Sequence, residues 1–150
     1  MPTPLETIVW NGIILAIIIR KDFSKPGIHF VTPTEFSQQL AYMYHSVGKV
    51  IEPHVHNPVQ RNVTYTQEVL FIKSGKLRVD FYDVNHTYLE SRILESGDII
   101  LLASAGHGFE ILEDIEMFEV KQGPYVDQED KIRFKGISAS QAIFKKSDGE

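Results

Sequence analysis

Short apolar runs, separated by turns rich in glycine and aspartate, fill the chain from residue 38 to residue 122. None of them keeps a helical repeat of apolar residues over three turns. Between residues 77 and 82, Leu77, Val79 and Phe81 alternate with charged or polar residues. Successive side chains of a strand point to opposite faces, so this run is a strand with one apolar face. The pattern predicts an all-β fold, either a sandwich or a closed barrel.

Turn residues set the predicted strand boundaries. Asn11 and Gly12 supply the positive φ angles of a tight hairpin turn between strands at residues 7–10 and 13–20. Residues 73–76 and the Glu113-Asp114 pair are predicted as further turns. The other predicted strands cover residues 28–31, 38–47, 68–72, 77–81, 88–94, 99–102, 107–112 and 115–122.

The length of 150 residues suits one domain with a substantial core. We expect residues 1–36 to form an N-terminal hairpin and strand extension that packs on the barrel or on a dimer partner. Residues 37–125 form the barrel. Residues 126–150 form a partly ordered tail, with one more strand at 131–134, a short helix within 138–146 and a frayed end.

Residues 13–19 are apolar on both faces, and such a strand left at an exposed sheet edge is an aggregation hazard. Burial against a second subunit would remove the hazard, which favours a homodimer. The alternative is that the rest of the same chain covers the strand.

Charge and composition exclude several classes of function. The formal net charge is −5 and no basic block occurs, so we expect no nucleic-acid partner. The absence of cysteine excludes disulfides and thiolate metal ligands. The first residues lack a basic signal region, and the apolar run at 13–19 is too short to cross a bilayer. We therefore expect a cytoplasmic protein with no membrane partner.

Three histidines and a glutamate are the candidate metal ligands. In an extended strand His54 and His56 project to the same side. Glu68 opens the next predicted strand, and His107 lies just after another. Imidazole and carboxylate ligands without thiolate suit one divalent transition metal, such as Fe, Mn, Ni, Co or Zn, and leave its identity open.

This spacing resembles the first motif of the cupin superfamily, G-x5-H-x-H-x3-4-E-x6-G. Gly48, His54, His56, Glu68 and Gly75 occupy its fixed positions. Eleven residues separate His56 from Glu68 instead of three or four, and such an insertion lengthens a loop at little entropic cost.

The second cupin motif, G-x5-P-x-G-x2-H-x3-N, is matched at Gly97. Ala103 replaces its proline, His107 arrives one residue early and the final asparagine is missing. The resemblance covers roughly residues 40–122. It implies a double-stranded β-helix, or jelly-roll barrel, with a metal site of three histidines and one glutamate. The overall pattern is similar to small single-domain cupins of sugar and polysaccharide biosynthesis.

Other residues are candidates for contact with a small-molecule ligand. Counting alternately back from His54 places Tyr42 and Tyr44 on its face, and Arg61 lies in the loop that joins the ligand-bearing strands. Phe109 shares the face of His107. Ordinary packing of the tyrosines and solvation of Arg61 are the alternatives.

Glu119 and Lys121 are the candidate acid and base. They form a general acid/base pair if their side of the last strand faces the metal. Alternatively they face solvent while Phe118 and Val120 face the core.

Two functions follow from this reasoning. The first is a metal-dependent enzyme that acts on a sugar or a keto or hydroxy acid by isomerisation, epimerisation, lyase chemistry or oxygenation. The second is a non-catalytic small-molecule-binding or structural cupin, because a fold alone does not determine function.

Overall fold

A computed structural model describes residues 3–145. The described residues are nearly all β, with short 3-10 helices at Asp127–Asp130 and Ala139–Gln141 and no α-helix. The all-β prediction is confirmed. In this part of the chain, no helix has the length and apolar character needed to span a membrane. The strands are β1 Leu5–Trp10, β2 Ile13–Ile19, β3 Gly27–Phe30, β4 Ala41–Tyr44, β5 Glu68–Tyr82, β6 Tyr88–Glu95, β7 Ile99–Leu102 and β8 Gly106–Lys121.

The chain divides into two compact units. Ser24–Tyr65 forms the smaller unit, and the residues on either side of it form the larger one. The smaller unit contains a two-stranded antiparallel sheet in which β3 pairs with β4 and Ile28 lies opposite Met43. Residues 45–65 contain no helix or strand. The predicted strand at 38–47 is therefore limited to β4.

Strand β5 is the centre of the larger unit. Strand β8 pairs with one edge of β5. The other edge is shared by β7, which pairs with residues 68–71, and β6, which pairs with residues 76–82. Beyond β7 lie β2 and then β1, and all of these pairings are antiparallel. The result is one continuous antiparallel sheet.

The predicted N-terminal hairpin is confirmed. Asn11 and Gly12 have φ angles of 48° and 76°, the conformation that a two-residue hairpin turn requires. Ile17 and Ile18 of β2 point to opposite faces of the sheet, and both are buried in the single chain. The same chain therefore covers β2, so this strand does not need a second subunit.

Two predicted turns are wrong. Residues 73–76 do not form a hairpin turn, because β5 continues through them as one strand. Glu113 and Asp114 likewise lie within β8. Each run of turn-forming residues marks an irregularity in a continuing ladder, since the β5–β8 register shifts three times between Ile72 and Leu77. Such shifts bend and twist a strand without ending it.

Strand β5 curls strongly. Glu68 at its start pairs with Leu102, and Tyr82 at its end pairs with Gly106. The four-residue step from Leu102 to Gly106 spans at most about 14 Å. A straight strand from Glu68 to Tyr82 would extend about 46 Å. The two ends of β5 are therefore much closer together than a straight strand allows.

Gly75 lies within the stretch of β5 where the register with β8 shifts. Gly75 has a φ of 92°, a left-handed conformation that favours glycine. A Cβ atom there would lie 2.8 Å from the Cα atom of Ile115, and closer still to the carbonyl oxygen of Asp114. The absence of a side chain lets β5 and β8 approach each other where both bend.

The apolar core lies on the inner face of this curl. Leu70 and Ile72 point inward before the bend, and Leu77 and Val79 point inward after it. The irregularity thus reverses the alternation of side chains once, which keeps apolar residues inside on both limbs. The other buried members of this core are Ile8, Leu15, Ala16, Ile18, Phe81, Leu89, Leu94, Ile100 and Leu102.

A buried ion-pair network joins β1, β2 and the β6–β7 region. Glu6 accepts hydrogen bonds from Arg20 at 2.8 Å and from Arg92 at 2.9 Å. Arg20 also donates to Asp98 at 3.1 Å. All four side chains are buried, so each charge is compensated by a hydrogen-bonded partner.

The C-terminal tail packs on strands β5 and β6 within the larger unit. The ring of Phe134 lies 5.0 Å from that of Tyr82, and the Ser91 amide donates to the Ile143 carbonyl at 2.8 Å. The predicted strand at 131–134 does not form. The predicted helix within 138–146 is reduced to the 3-10 turn Ala139–Gln141. The predicted frayed end, at residues 146–150, lies outside the described residues.

We expect Gly75→Ala to lower the free energy of unfolding by about 2–4 kcal/mol, because it adds a backbone clash to the strain of a positive φ. Gly12→Ala is the matched control, since Gly12 also has a positive φ but no heavy atom lies within 4 Å of its Cβ position. The control should lose only about 1–2 kcal/mol. Urea unfolding measures both. Equal losses would show that close packing at the bend is unimportant.

Candidate functional site

The curl brings together two side chains from opposite ends of the β5–β8 ladder. The Glu68 Oε2 atom lies 3.3 Å from the His107 Nε2 atom. Glu68 is the first residue of β5, whereas His107 pairs with Phe81 near its end. Residues 68 and 81 of a straight strand would be about 43 Å apart. The contact therefore depends on the bend around Gly75.

Both side chains are on the face of the sheet that carries the core. Glu68 shares the inward direction of Leu70, and His107 lies opposite the core residue Phe81. Glu68 is buried, whereas 29% of the His107 side chain is exposed. The pair thus combines a buried carboxylate with an imidazole that solvent can reach.

Neighbouring charges favour the ionised carboxylate. The hydrogen bond with His107 is the largest cause that lowers the pKa of Glu68 below 4.5, and the positive charges of Lys121 and Lys131 act in the same direction. Burial opposes them. Because the folded-state pKa is lowered, ionisation of Glu68 contributes stability above about pH 4.5, and this contribution is lost as the pH falls through the lowered pKa.

The spacing of Glu68 and His107 fits two ligands of one metal ion. Donor atoms about 2.1 Å from an ion, at angles of about 90–109°, lie about 3.0–3.4 Å apart. The observed separation of 3.3 Å falls in this range. Within residues 3–145, no group of three or more histidine, aspartate or glutamate side chains is arranged to hold a metal. The structure therefore places two of the four predicted ligands together.

The other two predicted ligands lie in the smaller unit. The sequence predicted that His54 and His56 lie on a strand. In the structure they lie instead in the irregular segment 45–65. Pro53 and Pro58, which flank them, lack the amide hydrogen that a sheet ladder needs. The two imidazole rings nevertheless lie 5.3 Å apart. His54 Nδ1 donates to the Glu52 carbonyl at 2.9 Å, which leaves Nε2 available as a ligand atom.

The candidate substrate-contact residues are divided between the units. Tyr42 and Tyr44 share one face of β4, with Tyr42 opposite His29. Arg61 is exposed in the irregular segment. Phe109, in contrast, lies beside His107, with the two ring centroids 5.3 Å apart. Phe109 is therefore adjacent to the Glu68–His107 pair.

The register of β8 distinguishes between the two orientations considered for Glu119 and Lys121. Lys121 lies directly opposite Glu68, and Glu119 lies opposite the core residue Leu70. Both therefore point to the same face as Glu68. Phe118 and Val120 point to the other face and are exposed, so the arrangement with these two residues in the core does not form.

Sequence reasoning missed three polar residues near Glu68. Lys131, from the tail, contributes to the lowered pKa of Glu68. Gln67 is buried and its Oε1 atom has no hydrogen-bond partner, and the Nε2 atom of Gln122 is likewise buried without one. The backbone N–H of Gln67 donates to Gln122 Oε1 at 2.6 Å. Nothing in the local sequence singles out a tail lysine or buried amides, because their positions depend on tertiary packing.

Comparisons with known proteins identify no relative. No protein-family profile matches the chain, and no curated protein or solved structure is significantly similar to it.

We expect His107→Ala to raise the pKa of Glu68, because the hydrogen bond from His107 is the main cause that lowers it. NMR titration of the Glu68 side-chain carboxyl carbon in metal-free protein measures the change. His29→Ala is the control, since His29 contacts the Pro26 carbonyl in the smaller unit. An identical Glu68 titration in the parent and in His107→Ala would contradict the contact.

Proposed function

We propose that the protein is a metal-binding cupin, in which the curled sheet of the larger unit is part of a jelly-roll barrel. The observation that carries this proposal is the Glu68–His107 contact on the inner face of that sheet. The curl is the feature that a jelly-roll barrel needs, because it lets one sheet enclose a central site. The motif spacing around Glu68 supports the same assignment.

The proposed ligands of one divalent transition metal are His54, His56, Glu68 and His107. Glu68 and His107 have suitable donor atoms at a suitable separation. His54 has its Nδ1 hydrogen bonded to a carbonyl, the usual arrangement of a histidine that binds metal through Nε2. A bound metal would act as a Lewis acid toward an oxygen atom of the bound small molecule.

The substrate class that best fits these groups is a small polar metabolite, such as a sugar or a keto or hydroxy acid. Lys121 supplies a positive charge opposite Glu68 and could hold a carboxylate or a polarised oxygen of such a molecule. Phe109 offers an apolar surface beside His107. Tyr42, Tyr44 and Arg61 remain proposed contacts.

Proton transfer is proposed for Glu119 and Lys121. Both point to the face that carries Glu68, so they are on the correct side of the sheet to exchange a proton with a bound substrate. Isomerisation, epimerisation and lyase reactions all need such a transfer at carbon or oxygen. The reaction class proposed is therefore proton transfer assisted by a Lewis acid, and oxygenation is the alternative reaction type.

A non-catalytic small-molecule-binding cupin is the second candidate. The observation that favours it is the exposure of Glu119 in the single chain. A general acid or base usually acts in a site from which water is excluded, and an exposed carboxylate does not meet that condition.

We expect purified protein to hold about one transition metal per chain, and the His54→Ala/His56→Ala double variant to hold at least about tenfold less. Glu68→Gln and His107→Ala should each weaken metal binding in the same way. Inductively coupled plasma mass spectrometry after equilibration with Fe(II), Mn, Ni or Zn gives the content. His29→Ala is the matched control and should retain the metal. A parent protein that binds none of these metals would contradict the proposal.

We expect Glu119→Gln to keep its metal content while turnover of a sugar or keto-acid substrate falls by about 10²–10⁴-fold, the usual contribution of a general acid or base. Glu35→Gln, an exposed substitution in the smaller unit, is the control. Tight binding of such a compound without turnover in the parent protein would favour the non-catalytic alternative.

A further inference from the structure

Strand β8 exposes both a long edge and several apolar side chains. It is 16 residues long, none of its residues is buried, and β5 is its one strand partner among the described residues. Its inward-facing Phe109, Ile111 and Met117 are exposed in the single chain. A long edge strand with exposed apolar side chains is a template for pairing with another chain.

The two-stranded sheet of the smaller unit also exposes apolar side chains. On its two-stranded sheet, Ile28 and Phe30 of β3 share one face with Met43 of β4, and all three are exposed. A two-stranded sheet is at best marginally stable in water and needs packing against another surface. These three exposed side chains give the sheet of the smaller unit an apolar face.

The irregular segment 45–65 exposes apolar side chains over its whole length. It has no helix or strand, and its apolar side chains are all exposed. A solvated loop of this length is normally polar. The exposed apolar residues of this segment are Val47, Val50, Ile51, Val55, Val59, Val63 and Tyr65.

Charge also distinguishes the two surfaces. Strand β8 carries five acidic residues, Glu110, Glu113, Asp114, Glu116 and Glu119, against the single lysine Lys121. Residues 24–65 have the opposite balance, with Lys25, Lys49 and Arg61 against Glu35 and Glu52, and four histidines in addition. The two surfaces are therefore complementary in charge as well as apolar.

We propose that two copies of this chain form a dimer, in which residues 24–65 of one copy pack on the inner face and the outer edge of β8 of the other. This contact covers the apolar face of β3–β4, the apolar residues of segment 45–65 and the edge of β8 at once. A two-fold dimer makes the contact twice. The dimer does not need a bound metal, so it can be tested separately from the proposed metal site.

The first test is the mass of the protein in solution, measured by light scattering in the presence of EDTA. The parent should have twice the mass of one chain. Val50→Lys should raise the dimer dissociation constant about 100-fold. The two-fold dimer loses two valine contacts, and each loss weakens binding about tenfold. Val84→Lys is the matched control, because Val50 and Val84 are 74% and 73% exposed in the single chain. The control should remain dimeric.

The second test locates the contact by cross-linking, which the cysteine-free sequence makes specific. Chains with Val50→Cys and chains with Ile111→Cys, carrying different affinity tags, are co-expressed and treated with a short bismaleimide. A cross-linked pair with both tags should form in high yield. Chains with Val84→Cys in place of Val50→Cys should give little product.

Three results would overturn the proposal. The first is a monomeric parent at micromolar concentration. The second is equal dimer stability in Val50→Lys and Val84→Lys. The third combines two observations. Val50→Cys chains cross-link to Ile111→Cys chains no more than Val84→Cys chains do, and a single chain that carries both Val50→Cys and Ile111→Cys cross-links within itself. Because metal is absent throughout, failure of the proposed metal site would not affect these results.

Discussion

The close approach of β5 and β8 at Gly75 is the constraint on which the rest of the larger unit depends. Without a side chain at residue 75, the two strands bend together, and Glu68 at one end of the ladder comes within 3.3 Å of His107 at the other. A side chain at Gly75 would clash with the β8 backbone at Asp114 and Ile115. The geometry of the candidate site is thus set by a residue that does not belong to it.

The bend also explains how the core and the site share one face. The register shifts around Gly75 reverse the alternation of side chains, so Leu70 and Leu77 both point inward although their separation would place them on opposite faces of a regular strand. Glu68 is in phase with Leu70 and is therefore buried at the end of the core. The hydrogen bond from His107, together with the positive charges of Lys121 and Lys131, outweighs the effect of burial, which is why the pKa of Glu68 is lowered and not raised.

Sequence reasoning predicted the local features and missed those that depend on tertiary packing. The Asn11-Gly12 turn and the all-β character follow from short-range chemistry and are confirmed. Residues 73–76 were predicted as a turn because glycine and serine usually end a strand, but pairing with β8 keeps β5 continuous through them. The motif spacing identified Glu68 and His107, whereas Lys131 could not be found because it reaches the site from a distant tail.

We propose that the curled sheet positions Glu68 and His107 as ligands of a single metal ion. Anomalous diffraction from a crystal grown with Ni(II) tests it most directly. The account predicts an anomalous peak about 2.0–2.2 Å from both the Glu68 carboxylate and His107 Nε2. A peak bound only elsewhere, or no peak although nickel is present in the crystal, would contradict it.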